Sequence, residues 1–145
     1  MDIQVNYVSV VVAAIISMII GFLWYSPLLF AKPWMRLMGY TGAGMKEAQK
    51  GMIKLYGVSF IVTCISAYIL YHVMVMSTNY FGYGAYQTAI TSAISMWLGF
   101  IMPVQLTDVL FGSKKFQLFL INTGYQLASL LAMGITIALV SLRGF

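Results

Sequence analysis

The charged residues of this 145-residue chain are confined to a few short segments. Seven of the eight Lys and Arg residues lie at 32–54 or at 114–115, and these two segments separate long apolar stretches. Charged residues make up 8% of the chain, whereas a soluble globular domain averages about 25%. Long apolar stretches divided by short basic segments are typical of a protein that crosses a membrane several times. The sequence therefore predicts a polytopic membrane protein.

Four windows are long and apolar enough to cross a bilayer. A spanning helix needs about 20 largely apolar residues, and a helix satisfies its own backbone polar groups where water is absent. We therefore predict one all-α domain over residues 1–145, folded as a four-transmembrane-helix bundle. The predicted spans are 8–30, 55–76, 88–111 and 116–142. A short surface helix is expected at 45–51, and an uncharged link at 77–87.

The basic residues also predict the orientation of the chain. All seven Lys and Arg of the two segments fall on one side of the predicted spans, and only Arg143 falls on the other. The positive-inside rule then places the basic loops in the cytoplasm and both termini outside. Because these residues flank apolar spans, we interpret them as topology signals and contacts with the lipid bilayer. Nucleic acid is not expected as a partner.

Small or polar residues recur at every fourth position in all four predicted spans. Each row lies along one helix face, and small side chains let membrane helices approach closely. The rows are explained by packing within one bundle or by contact with another subunit, and the second interpretation predicts a homo-oligomer. The rows are Ser9, Ala13, Ser17 and Gly21; Ser59, Thr63 and Ala67; Thr91, Ser95, Gly99, Pro103 and Thr107; and Gly124, Ala128, Ala132 and Thr136.

A weak internal repeat links the first and third spans. Gly-Phe-aliphatic at 21–23 is followed by Pro27, and Gly-Phe-aliphatic at 99–101 is followed by Pro103. Each copy continues to Leu-Phe, a small residue, Lys and an aromatic residue. This order suggests two similar helical hairpins related by an axis along the membrane normal, a parallel repeat.

Polar and aromatic side chains concentrate at the predicted cytoplasmic ends of the spans, where we place a candidate ligand or ion site. An ionisable residue within a span is a functional candidate by default, and Asp108 is the one carboxylate of the predicted spans. The candidates are Trp24, Tyr25 and Ser26 in the first span, Lys32 and Arg36 in the basic segment just beyond it, Gln105 and Asp108 in the third span, and Asn122 and Gln126 in the fourth.

These residues leave alternatives open. Asp108 either pairs with a nearby Lys or Arg at the membrane interface or forms an ion- or proton-coupled site. Asn122 and Gln126 either join helices or line a polar path. Pro27 and Pro103 each remove a backbone donor. They therefore form either simple kinks satisfied by neighbouring groups or hinges beside a ligand.

The sequence lacks the parts that most enzymes need. It contains no HExxH, no phosphate-binding glycine loop and no CxxC, and its three acids are Asp2, Glu47 and Asp108. One cysteine, Cys64, and one histidine, His72, do not suffice for a zinc site within one chain. We expect no enzyme activity, no cofactor and no metal.

Two blocks of the sequence resemble the DUF1761 family of small bacterial membrane proteins. The blocks are WYSPLLFAKPWMRLMG at 24–39 and WLGFIMPVQLTDVLFGSKKFQLFLINTGYQLASLLAMG at 97–134. The resemblance implies a four-helix integral protein of the bacterial cytoplasmic membrane. The family's function is unknown, so the resemblance assigns no catalytic or binding residue.

Three functions are compatible with these features. The first is a transporter or channel component that uses the cytoplasmic-side polar site for a small molecule or ion of unknown identity. The second is a non-transporting subunit or stabiliser of a membrane complex, whose small-residue rows contact partner helices. The third is a lipid-binding protein with an acyl groove beside Lys32 and Arg36.

Overall fold

The chain folds into helices that are long and apolar enough to cross a membrane four times. The computed structural model describes residues 4–40, 51–112 and 114–141. Every regular element within these residues is helical, which confirms the predicted all-α fold. The elements are α1 (Tyr7–Trp24), α2 (Ala31–Met38), α3 (Met52–Phe81), α4 (Ala85–Met96), a π-helical turn (Trp97–Ile101), α5 (Met102–Phe111) and α6 (Phe116–Val140). The candidate spans are α1, α3, α6 and the continuous stretch Ala85–Phe111.

The first span is shorter than predicted, because α1 ends at Trp24 and not near residue 30. Pro27 follows in a turn, where its missing N–H and fixed φ cannot continue the helix. Backbone groups within the turn satisfy one another: the Ser26 N–H donates to the Leu23 carbonyl at 3.2 Å, and the Phe30 N–H donates to the Trp24 carbonyl at 3.0 Å. The carbonyls around Pro27 are therefore paired locally, as expected of a simple kink.

The residues after this turn form α2, a short helix that the sequence analysis did not predict. It begins at Ala31 and ends at Met38, and the following Gly39 adopts a left-handed φ of 73°. The surface helix predicted at 45–51 lies outside the described residues except for Gly51.

The second span is longer than predicted. At 30 residues, α3 extends about 45 Å and takes in part of the link expected at 77–87. It ends at Phe81, and the following Gly82 has a left-handed φ of 67° that suits glycine. The link to α4 is therefore only three residues long, because Tyr and Asn near the end of α3 continue the helix.

The third span changes its helical form midway. In its π-helical turn, the Met102 N–H donates a hydrogen bond to the Trp97 carbonyl, five residues earlier. Pro103 lies at the start of α5, directly after this wide turn. The Pro103 carbonyl accepts a hydrogen bond from the Thr107 hydroxyl at 2.9 Å.

The bundle has a closed half and an open half. In the closed half α1, α3, α4 and α6 meet through side chains with 0% exposure, namely Ala13, Ala67, Leu70, Met74, Ala89, Ala93 and Ile137. The open half lies towards α2 and the α5–α6 turn. There α3 has no buried residue before Ala67, and α5 has none.

The described parts of both basic segments lie at the end of the open half. The Trp24 indole N–H donates to the Ile121 carbonyl at 3.1 Å, so the end of α1 contacts the first turns of α6. At the other end, the Tyr71 hydroxyl donates to the Gln4 carbonyl and exchanges a hydrogen bond with Ser141, each at 3.1 Å.

The small-residue rows serve different surfaces. Ser9, Ala13 and Ser17 of α1 are buried inside the bundle, whereas every residue of the third-span row from Thr91 to Thr107 is exposed. The homo-oligomer that this outward row suggests stays a prediction. The two prolines of the internal repeat lie in different settings, Pro27 in a turn after α1 and Pro103 within the third span. The repeat itself stays a prediction.

Candidate ligand pocket

An open pocket of about 510 Å³ lies at the basic end, between the start of α6, the end of α5 and α2. It brings together five of the predicted site residues from three parts of the chain: Tyr25, Gln105, Asp108, Asn122 and Gln126. Other parts of its lining are Trp34, Met38, Val109, Lys114, Leu118, Phe119 and Tyr125. The pocket therefore combines amides, hydroxyls, aromatic rings and one pair of opposite charges.

The other four predicted residues do not line this pocket. The Trp24 indole joins α1 to α6, and its ring edge lies 3.2 Å from the position of a Cβ on Gly124. The Ser26 hydroxyl is enclosed and has no hydrogen-bond partner within the part of the chain described. Lys32 and Arg36 are exposed on α2. We assign Trp24 to helix packing, and the two cations to the surface.

An aromatic cluster forms one side of the pocket. Tyr25 packs edge-to-face against Tyr125, with ring centroids 5.3 Å apart, and against Trp34 at 5.6 Å. The Tyr25 hydroxyl donates to Asn122 Oδ1 at 3.0 Å. This hydrogen bond holds the amide side chain of α6 against the turn that follows α1.

The candidate list from sequence omitted Trp34, Tyr125 and Lys114, which also line the pocket. Tyr125 lies three residues after Asn122, a spacing that places both on one face of α6. That spacing was a usable signal. Trp34 follows the first span closely in the sequence, and the turn at Pro27 brings its side chain to the pocket.

Asp108 forms a salt bridge with Lys114 at the rim of the pocket. The Asp108 and Lys114 side chains are 55% and 49% exposed, so water screens both charges. Asp108 lies in the last turn of α5, where its carbonyl accepts a hydrogen bond from the Gly112 N–H at 2.9 Å. This arrangement matches the alternative in which Asp108 pairs with a lysine at the interface.

Two smaller pockets share residues with the first. One, of about 350 Å³, includes Tyr125, Gln126 and Ser129 and extends between α1, α3 and α6. The other, of about 300 Å³, includes Tyr25, Tyr56 and Tyr125. At the depth of Ser129, the Ser17 and Ser129 hydroxyls are 2.6 Å apart and hydrogen-bonded. Polar residues therefore continue from the main pocket to the boundary of the closed half.

The described residues contain no group of three His, Cys, Asp or Glu side chains close enough to share a metal ion. The site instead offers hydrogen-bonding amides, aromatic rings and the half-exposed Asp108–Lys114 pair. Such groups bind and orient a small molecule. The hinge roles predicted for Pro27 and Pro103 stay predictions.

Comparison with known proteins gives one family match. No curated protein and no solved structure matches the chain significantly. The model of the family described as "Protein of unknown function (DUF1761)" matches residues 8–138, nearly the whole chain. The matched region includes every residue that lines the pocket and all of the four spans except Tyr7, Leu139 and Val140, and the chain therefore belongs to the DUF1761 family.

Proposed function

We propose that this protein is a non-enzymatic transport component of the bacterial cytoplasmic membrane. It binds a small polar molecule from the cytoplasmic side. The observation that carries the proposal is the series of pockets that share Tyr125 and Gln126. They lead from the basic end to the Ser17–Ser129 hydrogen bond. Polar groups within a membrane are costly unless they are paired. A series of pockets lined by such groups therefore favours a binding role over a purely structural one.

The closed half completes this proposal. Past Ser129, the side chains of Ala13, Ala67 and Ala89 pack with Ile137 of α6 in one core, and all four have 0% exposure. A transporter that opens to one side at a time needs such a barrier beyond its binding site. In this proposal, the observed fold is the state open towards the basic loops, which the positive-inside rule assigns to the cytoplasm.

Thiol accessibility tests both the orientation and the transport cycle. In a Cys64→Ser background, we expect Asn122→Cys to react with a membrane-impermeant maleimide in inside-out vesicles, and not in right-side-out vesicles. Ser129→Cys lies deeper and should react more slowly. Ala93→Cys, at a position with 0% exposure, serves as the unreactive control.

Ser129→Cys also separates transport from one-sided binding. A transporter exposes this position to the opposite side during part of its cycle, so slow labelling in right-side-out vesicles is expected. Labelling of Ser129→Cys from the cytoplasmic side alone contradicts transport and leaves a one-sided binding protein. Labelling of Asn122→Cys only from outside contradicts the orientation.

The exposed row of the third span favours a second candidate function, that of a subunit in a membrane complex. A Cβ on Gly99 meets no atom within 4 Å, so the fold itself does not require glycine there. Such a face lets another membrane helix approach closely. In native membranes, Ser95→Cys should then form disulfide-linked products, whereas Leu98→Cys, 51% exposed but off the row, should not. A product of twice the chain mass indicates the homo-oligomer; absence of any product contradicts this candidate.

The lipid-binding function predicted beside Lys32 and Arg36 gains no support from the pockets described above, since neither residue lines them.

A further inference from the structure

The main pocket presents its one carboxylate beside aromatic rings. Asp108 lines the pocket together with Tyr25, Trp34, Phe119 and Tyr125. The faces of Tyr and Trp rings attract cations through their quadrupole, and sites that bind quaternary ammonium groups combine several such rings. The lining therefore has both of the groups that recognise an organic cation: an anionic partner and aromatic surfaces.

The Lys114 ammonium already forms a salt bridge with the Asp108 carboxylate. Lys114 lies in the connection between α5 and α6, outside either helix, and its side chain is half exposed. An exposed ion pair of this kind contributes little to stability, about 0–1 kcal/mol. A ligand cation can therefore displace the Lys114 ammonium into water at small cost.

The surrounding charges do not prevent such exchange. Lys32 and Arg36 are exposed and lie outside the lining of the pocket, where salt screens their fields over about 8–10 Å. Within the described lining, Asp108 and Lys114 are the charged groups and their charges cancel. The volume of about 510 Å³ lies within the range of small-molecule sites.

We propose that the ligand of this pocket is a small organic cation with an alkylated ammonium group, and that Lys114 is an internal cation which competes with it for Asp108. This inference rests on the proposed function, because it names the substrate class of the same pocket. It also predicts that loss of the Asp108 charge weakens ligand binding, whereas loss of the Lys114 charge strengthens it.

Choline provides a suitable probe, and 3,3-dimethylbutan-1-ol provides its uncharged counterpart of the same shape. Binding is measured by equilibrium dialysis with the purified full-length chain in an uncharged maltoside detergent. We expect choline to bind at least tenfold more tightly than the neutral alcohol. Equal binding of the two compounds, or binding of neither, overturns the inference.

Two variants test the assigned roles. Asp108→Asn should weaken choline binding at least tenfold, because the anionic partner is lost. Lys114→Gln should strengthen it by up to about fivefold, because no internal cation needs to be displaced. Lys115→Gln removes the same charge one residue away, outside the described lining, and should change binding less than twofold.

The outcomes separate this inference from the function on which it rests. If Lys114→Gln weakens binding as Asp108→Asn does, Lys114 contacts the ligand and the competing-cation role is wrong. If Asp108→Asn fails to fold, Trp34→Leu offers a second variant, which should weaken choline binding at least threefold through loss of the ring. If Asn122→Cys is accessible from the cytoplasm but choline does not bind, the cation inference fails while the proposed transport function stands.

Discussion

The closed and open halves of the bundle are built from the same four spans but use them differently. In the closed half, small residues let helices approach until side chains such as Ala89 and Ala93 have 0% exposure. In the open half, α3 and α5 provide no buried side chains before Ala67 and after Ile101, respectively. That region instead contains pockets with polar lining residues.

The difference shows where a small membrane protein gains its stability. Lipid tails are as apolar as Leu, so helix association depends on close packing and on interhelical hydrogen bonds and not on removal of apolar surface from water. Close packing is concentrated in the closed half. The open half is therefore free to hold amides, hydroxyls and charges, which suit binding better than packing.

Gly134→Leu, in the closed half, should have the largest effect on stability. A Cβ at this position lies 3.1 Å from the Ala89 carbonyl oxygen and 3.4 Å from its Cβ. A leucine there must separate α6 from α4, with a loss of about 2 kcal/mol in the free energy of unfolding. Denaturant unfolding in detergent micelles measures this loss.

Gly57→Leu is the matched control in the open half, because a Cβ at residue 57 meets no atom within 4 Å. We expect its unfolding free energy to stay within about 0.5 kcal/mol of the parent. Similar losses in both variants would contradict the division into closed and open halves.

Ser17→Ala gives an intermediate effect at the boundary of the two halves. It removes the hydroxyl that lies 2.6 Å from Ser129 Oγ. Hydrogen bonds between membrane helices contribute about 0.6 kcal/mol on average, and we expect a destabilisation of that size. A double-mutant cycle with Ser129→Ala isolates the pair, and a coupling energy indistinguishable from zero would show that this hydrogen bond does not join α1 to α6.

Asp108→Asn should have the smallest effect on stability. Its salt bridge with Lys114 is half exposed, and pairs of this kind contribute about 0.3 kcal/mol. Thermal unfolding of the variant should therefore differ little from the parent, even though choline binding falls sharply. A large loss of stability would instead make Asp108 a structural residue of the α5–α6 turn.

The number and the class of the spans followed from hydropathy, because a membrane leaves few ways to satisfy a backbone. The ends of the spans did not follow as well. Pro27 ended α1 earlier than expected because its turn pairs backbone groups internally. The stretch from Ser77 to Phe81 continued α3, and the helix stopped only before Gly82, whose left-handed φ of 67° suits glycine.

The candidate site was predictable where it depended on residues within one helix. Gln105 and Asp108 share a face of α5, and Asn122 and Gln126 share a face of α6, and all four line the pocket. Contributions that depend on chain turns were not predictable. Several Lys and Arg residues were possible partners of Asp108, and the fold pairs it with Lys114. The turn at Pro27 brings Trp34 to the pocket while leaving Lys32 outside it.

The π-helical turn at Trp97–Ile101 sets the angular phase of the third span. In an unbroken α-helix, the side chain seven residues after Trp97 points the same way as Trp97, and that residue is Val104. The wide turn acts as one additional residue and rotates the next stretch by about 100°, so Gln105 takes the inward position. Val104 is accordingly 67% exposed to the surroundings of the bundle. A change in helical pitch, with no change of amino acid, thus gives the pocket an amide where a regular helix would present a valine.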